Sequence, residues 1–155
     1  MMATNSAPTL SLSGARTALA AAEARASRIG VPMNIAVVDS SCHLLAFSRM
    51  DGAKITSINI AIDKAFTAAG HRAPTSVYKE AVWPGGAAFG IWNSNGGRFM
   101  TIAGGVPVVD KEGRVVGAIG CSTGTPAQDE DVAKAGKEAV ECSIAGETMT
   151  VKAKL

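Results

Sequence analysis

The chain has 155 residues, enough for one domain with a single core and too few for two. Its net charge is +2 and its basic residues are scattered singly, which argues against a nucleic-acid partner. No apolar run is long enough to span a membrane, and three cysteines without a C-x-x-C pair indicate neither a disulfide framework nor a zinc site. We therefore expect a cytoplasmic protein with a flexible N-terminus at residues 1–9 and one domain at residues 10–155.

The low charge content predicts self-association. Charged residues make up 18% of the chain and apolar residues 47%, which leaves apolar surface to be covered. Because a small monomer rarely exposes large apolar patches, we expect a homo-oligomer. The alternative is a monomer with an alanine-rich, weakly polar surface.

The first element along the chain is a predicted helix. Apolar residues three or four positions apart form one helical face from Leu12 to Ile29. Ser11 or Ser13 can cap its start, and Gly30 can adopt the left-handed conformation after its end.

A β-hairpin and a second helix are predicted next. Two short apolar runs, at residues 34–38 and 43–47, flank a turn at residues 40–42 and predict the hairpin. The second helix is predicted over residues 55–72, capped by Thr56 or Ser57 and ended by Pro74. We expect its core face to be the apolar stripe of Ile55, Ile58, Ile62, Phe66 and Ala69.

The middle of the chain is rich in glycine. Residues 75–82 are predicted to form a short helical turn, and residues 83–97 have the period of neither a helix nor a strand. Long loops of this kind are commonly functional lids or interface arms. Further strands are predicted at residues 99–103, 106–109 and 114–120, with a hairpin turn at residues 110–113.

The last predicted helix has a strong start. Thr125 can cap it, Pro126 suits the first helical position, and Gln128 can close a capping box. We expect this helix to run to about Cys142 and the last dozen residues to add an edge strand. The element order predicts an α+β domain with an antiparallel sheet of about five strands and helices packed on its faces.

Candidate catalytic groups surround the second helix. Lys64 is either a surface charge or, if partly desolvated, a group that orients a carboxylate or accepts a proton. His71 could act as an acid or base, and Asp39 is either a proton carrier or a turn-forming residue. Either histidine, His43 or His71, could serve as an axial ligand if haem were bound, since one imidazole is enough.

Candidate ligand contacts are spread along the chain. Arg49 ends a strand, where its planar guanidinium could grip a carboxylate. The loop over residues 120–124 precedes a helix and could hold an anion on its backbone N–H groups, or simply form the helix cap. The candidate ligand-binding residues are Arg49, Asp51, His43, Trp83, Gly104, Gly105 and Thr123.

Three separated motifs resemble the GlcG/HbpS-like family. They are residues 35–39 with 43–53, residues 60–69, and residues 104–108 with 116–120 and 125–129. The resemblance implies a profilin-like fold and a homo-oligomer. It also implies several functions, since some relatives bind haem, one branch is fused to corrinoid-processing domains, and others accompany genes of organic-acid catabolism. The chain departs from the family at Ser41-Cys42, where relatives usually have Gly-Gly.

Two hypotheses stay open. The first is an oligomeric binding protein for haem or a corrinoid-type cofactor, with a histidine and the loop over residues 83–99 lining the site. The second is a cofactor-free tautomerase, lyase or hydrolase, in which Arg49 or Lys64 holds a small organic acid. In that case His71, Asp39 or Lys64 would move the proton. Both hypotheses need only a small-molecule ligand and further copies of the chain as partners, with no metal site built by the protein.

Overall fold

The computed structural model describes residues 2–146 and confirms the α+β class. Its helices and strands are α1 (Leu12–Ile29), β1 (Asn34–Asp39), β2 (Leu44–Arg49), α2 (Ser57–His71), β3 (Gly105–Val109), β4 (Val115–Ser122) and α3 (Pro126–Ala145). Between α2 and β3 lie 3-10 helices at Thr75–Val77, Lys79–Val82, Ile91–Asn93 and Asn95–Gly97. No helix within residues 2–146 combines the length and apolar character needed to cross a membrane.

The sheet is antiparallel, with strand order β2-β1-β4-β3. Successive side chains of β1 face opposite sides of the sheet. Ile35 and Val37 pack with α1 and α3 on one face, and Ala36 and Val38 pack with α2 on the other. Because both faces of β1 are covered, this strand reads as a continuous apolar run in the sequence.

The local signals for the ends of α1 and for the start of α3 are confirmed, whereas the expected side-chain cap of α2 is not, since Thr56 is helical at the N-cap and makes no capping bond within the described residues. The Gly14 N–H donates to the Ser11 hydroxyl at 3.1 Å, and Gly30 is left-handed with φ 70°. Thr125 and Gln128 form the expected reciprocal capping box at the start of α3. These contacts form within a few residues of each other, which is why the sequence alone could predict them.

The face of α2 that meets the sheet is not the predicted one. Of the predicted stripe only Ala69 is fully buried, whereas Ile55 is 72% exposed. The buried face is instead a row of small residues that includes Ala61 and Ala65. A Cβ built on Gly120 of β4 would lie 2.1 Å from the Ala61 carbonyl oxygen, so the two backbones nearly touch. The predicted core face is wrong because such a close approach leaves no room for isoleucine.

Residues 99–103 do not form the predicted strand. The backbone N–H and C=O groups of this segment form hydrogen bonds with side chains and not with a neighbouring strand. The Met100 N–H donates to the Thr67 hydroxyl at 2.8 Å, and the Thr75 hydroxyl donates to the Ile102 carbonyl at 2.7 Å. The described part of the chain therefore has four strands, and the predicted C-terminal edge strand falls outside the described residues.

Candidate functional site

A surface pocket of about 260 Å³ lies beside the C-terminal half of α2. We call it the aromatic pocket, and its lining residues are Cys42, Phe66, Thr67, Gly70, His71, Asn95 and Phe99. The four α2 residues among them, at positions 66, 67, 70 and 71, share one helical face. One wall of the pocket is thus built by α2, and the β1–β2 turn and the segment before β3 supply the others.

His71 is held in this pocket by aromatic contacts. Its ring lies edge-on to Phe99 with centroids 5.3 Å apart, and 5.7 Å from the ring of Tyr78. Edge-to-face pairs at this distance are favourable. His71 is exposed, and neither ring nitrogen has a hydrogen-bond partner within residues 2–146. The imidazole is therefore fixed in position while its nitrogens are free to meet a ligand.

Tyr78 completes the aromatic cluster behind His71. Its ring centroid lies 5.4 Å from that of Phe99, and the residue is only 7% exposed. Its hydroxyl is buried without a hydrogen-bond partner among residues 2–146, and burial raises the pKa of the phenol. Unpaired buried hydroxyls are uncommon, because burial removes their bonds to water.

A guanidinium lies against the aromatic pocket. Arg98 stacks on the Phe66 ring with its Cζ 3.9 Å from the ring centroid, and its Nε donates to Asp63 Oδ1 at 3.0 Å. Cys42 lines the pocket, and burial and the charge of Asp39 raise the pKa of its thiol. The positive charge of Arg98 lowers this pKa by a smaller amount.

Lys64 forms a second ion pair, which is enclosed. Its Nζ lies 2.7 Å from Asp129 Oδ2 and donates to the Cys121 carbonyl at 3.0 Å, and the lysine side chain is 1% exposed. The Gly124 N–H donates to Asp129 Oδ1 at 2.9 Å. Burial raises the pKa of the Asp129 carboxyl, although Lys64 opposes this shift. The pair joins α2 to the first turn of α3 across the end of β4.

Three of the candidate ligand contacts surround this buried pair. Gly104 has φ 125°, and a Cβ built on it would lie 2.7 Å from Lys64 Nζ. Gly105 packs equally close to the Lys64 backbone. Thr123 has φ 147°, and its hydroxyl accepts a hydrogen bond from Asn34 Nδ2 at 3.0 Å. The structure thus brings Lys64, Gly104 and Gly105 together inside the protein, and half-buried Thr123 adjoins the pair through a backbone hydrogen bond to Asp129.

The remaining candidates lie apart from that group. Asp39 shapes the β1–β2 turn, since its Oδ1 accepts the backbone N–H groups of Ser41 and His43 at 2.9 and 3.0 Å. His43 is exposed in the same turn. Arg49 and Asp51 are exposed at the opposite end of β2, and Trp83 is exposed in the glycine-rich segment.

Sequence reasoning missed the charged residue of the aromatic pocket. The spacing of Phe66 and His71 along one helix could have indicated a shared face. Arg98 gives no such signal, because its partner Asp63 is 35 positions away.

Comparison with known proteins places the chain in a family. A family model described as "Haem degrading protein HbpS-like" matches residues 10–138. The chain is a member of the HbpS-like family. The resemblance inferred from the three sequence motifs is thereby confirmed.

Three HbpS-like relatives match most of the chain. Protein GlcG of Escherichia coli K12 is 40% identical over 113 residues, covering 73% of this chain and 81% of GlcG. The crystal structure of ORFY from Klebsiella pneumoniae superposes with a TM-score of 0.87 at 33% identity, covering 90% of this chain and 96% of ORFY. The crystal structure of a PduOC–haem complex superposes with a TM-score of 0.79 at 30% identity, covering 84% of this chain and 94% of PduOC.

Proposed function

We propose that this protein binds haem, or a flat cofactor of the same kind, in the aromatic pocket. The observation that carries the proposal is His71, an exposed imidazole held among aromatic rings with both nitrogens unbonded within residues 2–146. Haem iron is commonly held by a single histidine. The proposal is supported by the family description, which names haem, and by the solved complex of PduOC with haem.

The residues of the pocket fit such a ligand. Phe66 is half-buried and offers apolar surface to a macrocycle, Phe99 is 7% exposed and supports His71, and His71 offers a nitrogen to the iron. Gly70 and His71 are exposed, so a flat molecule larger than the pocket can insert one edge. When bound, haem supplies an iron centre for ligand binding or electron transfer, and the protein supplies the orientation and the apolar surroundings.

The enzyme hypothesis has less support. Lys64 is enclosed, and its ammonium already contacts Asp129 and a backbone carbonyl. A carboxylate substrate would have to displace these contacts before Lys64 could hold it.

We also propose that the chain is a cytoplasmic homo-oligomer. Trp83, Phe89 and Trp92 of the glycine-rich segment are each 55–58% exposed, which is a large aromatic surface for a small monomer. The three cysteines are free thiols, as a reducing compartment favours. Sedimentation velocity of the wild type and of Trp83→Ser/Trp92→Ser tests the assembly, since a monomeric wild type would contradict it.

Titration of the purified protein with haem, followed in the Soret region, tests the binding proposal. We expect saturable binding by the wild type and a loss of about tenfold or more in affinity in His71→Ala, because the iron loses its protein ligand. His71→Phe keeps an aromatic ring against Phe99 and Tyr78 but removes the nitrogens, so it should lose affinity as well.

His43→Ala is the matched control. His43 is also exposed but lies in the β1–β2 turn and is not among the lining residues of the pocket. Its loss should leave the titration unchanged. If His71→Phe binds haem with the wild-type affinity and spectrum, the proposed ligand is wrong, and if the wild type shows no saturable binding, the proposed function is wrong.

A further inference from the structure

Arg98 has unused hydrogen-bonding capacity beside the aromatic pocket. Its guanidinium engages Asp63 through Nε alone. In the part of the chain that the structure describes, the two terminal nitrogens have no acceptor within hydrogen-bond distance, and the side chain is 42% exposed. A guanidinium can bind a carboxylate through two parallel N–H groups, and the two terminal nitrogens of Arg98 can supply them.

The position of Arg98 is fixed by three contacts. Phe66 supports the face of the guanidinium at 3.9 Å, and Asp63 holds Nε. The Thr67 hydroxyl lies 3.2 Å from the Arg98 carbonyl and shares its single proton between that carbonyl and the closer Asp63 carbonyl at 2.7 Å. Because Phe66 and Thr67 both line the aromatic pocket, the same helix that builds the pocket wall also positions the cation.

Charges of both signs lie beside the aromatic pocket, and Arg98 is the cation among them. Asp63 neutralises part of the Arg98 charge, but it is one carboxylate using one nitrogen of the fork. At Cys42, which lines the pocket, Arg98 lowers the pKa of the thiol, while the larger effects of burial and of Asp39 raise it. A ligand that places a carboxylate beside Arg98 would pair with a cation that is already oriented, and orientation before binding lowers the entropy cost.

We propose that Arg98 is a specificity-determining residue that selects planar ligands carrying a carboxylate, with Asp63 as its positioning residue. This inference rests on the proposed function, and it adds which chemical group of the ligand the chain recognises. The flat part of the ligand lies against Phe66 and His71, and its acidic side chain reaches the terminal nitrogens of Arg98.

The test compares haem with its dimethyl ester, in which both carboxylates are neutralised while the iron and the ring are unchanged. Affinities are measured by Soret titration in one buffer with one mild detergent. We expect the wild type to bind haem at least about tenfold more tightly than the ester, since charge-assisted hydrogen bonds are lost with the ester. Arg98→Gln should abolish this preference by weakening haem binding and leaving ester binding nearly unchanged.

Two further variants test whether Arg98 itself recognises the carboxylates of haem or whether any loss of a positive charge has the same effect. Arg98→Met keeps an apolar stem on Phe66 and should behave like Arg98→Gln. Arg72→Gln removes the same charge from the exposed residue directly after His71, which is not among the lining residues of the aromatic pocket, and should retain the full preference.

The outcomes distinguish this inference from the function on which it rests. If the wild type binds neither compound, the haem-binding function fails and the inference fails with it. If the wild type binds both equally, or if Arg98→Gln and Arg98→Met keep the preference for haem, haem binding stands and the role of Arg98 is wrong.

Discussion

Asp63 and Lys64 are neighbours on α2, yet their ion pairs have opposite surroundings. Successive residues of a helix point about 100° apart, so Asp63 reaches the aromatic pocket while Lys64 reaches the end of the sheet. The Lys64–Asp129 pair is buried and bonded to the backbone, whereas the Asp63–Arg98 pair is partly exposed and leaves both terminal nitrogens of Arg98 without an acceptor among residues 2–146. The Lys64–Asp129 pair connects α2 to α3, and the Asp63–Arg98 pair can bind a ligand.

The largest expected difference between the two pairs is in stability. Lys64→Met should lower the free energy of unfolding by about 3–5 kcal/mol, because it leaves the buried Asp129 carboxylate without its countercharge. Urea unfolding followed by circular dichroism measures this loss. Lys134→Met is the matched control, since Lys134 forms an exposed pair with Glu130 and should cost less than about 1 kcal/mol. Similar losses in both variants would contradict the proposed fastening role.

The Asp63–Arg98 pair should contribute little to stability. Asp63→Asn removes one charge from a partly exposed pair, so we expect a loss below about 1 kcal/mol in the same unfolding assay. Its effect on haem affinity should exceed that of Lys134→Met, because Arg98 loses its positioning contact. A loss of stability as large as that of Lys64→Met would mean that both pairs are structural.

The smallest expected effect concerns the Cys42 thiol. Arg98 lowers the pKa of this thiol against the larger upward effects of burial and Asp39. Removing the cation in Arg98→Gln should therefore raise the pKa further, reduce the thiolate fraction at pH 8, and slow alkylation by iodoacetamide about two- to threefold. Mass spectrometry of the modified peptides measures the rate, with Cys142 on α3 as the control in the same sample. Unchanged Cys42 kinetics would place the Arg98 charge away from the pocket.

The chemical site was only partly predictable from the sequence. The imidazole makes His71 a candidate from the sequence, and the structure places it in a pocket with Phe99 as its neighbour. For Lys64 the sequence allows a surface charge or a partly desolvated group, and it gives no sign of the partner Asp129, which lies 65 positions away. Arg98 was missed for the same reason, since a lone arginine in a loop carries no signal of the ring on which it stacks.

By itself the sequence determined the α+β class, the caps of α1 and α3, the hairpin turns and the family. These features depend on residues within a few positions of each other or on motifs that keep their spacing. Only the tertiary structure decided that Ala61 and Ala65, rather than the isoleucines of α2, meet the sheet, because the close approach at Gly120 excludes larger side chains. It also decided the partners of Asp63 and Lys64, because ion pairs form between groups that folding brings together, and local sequence does not encode those distances.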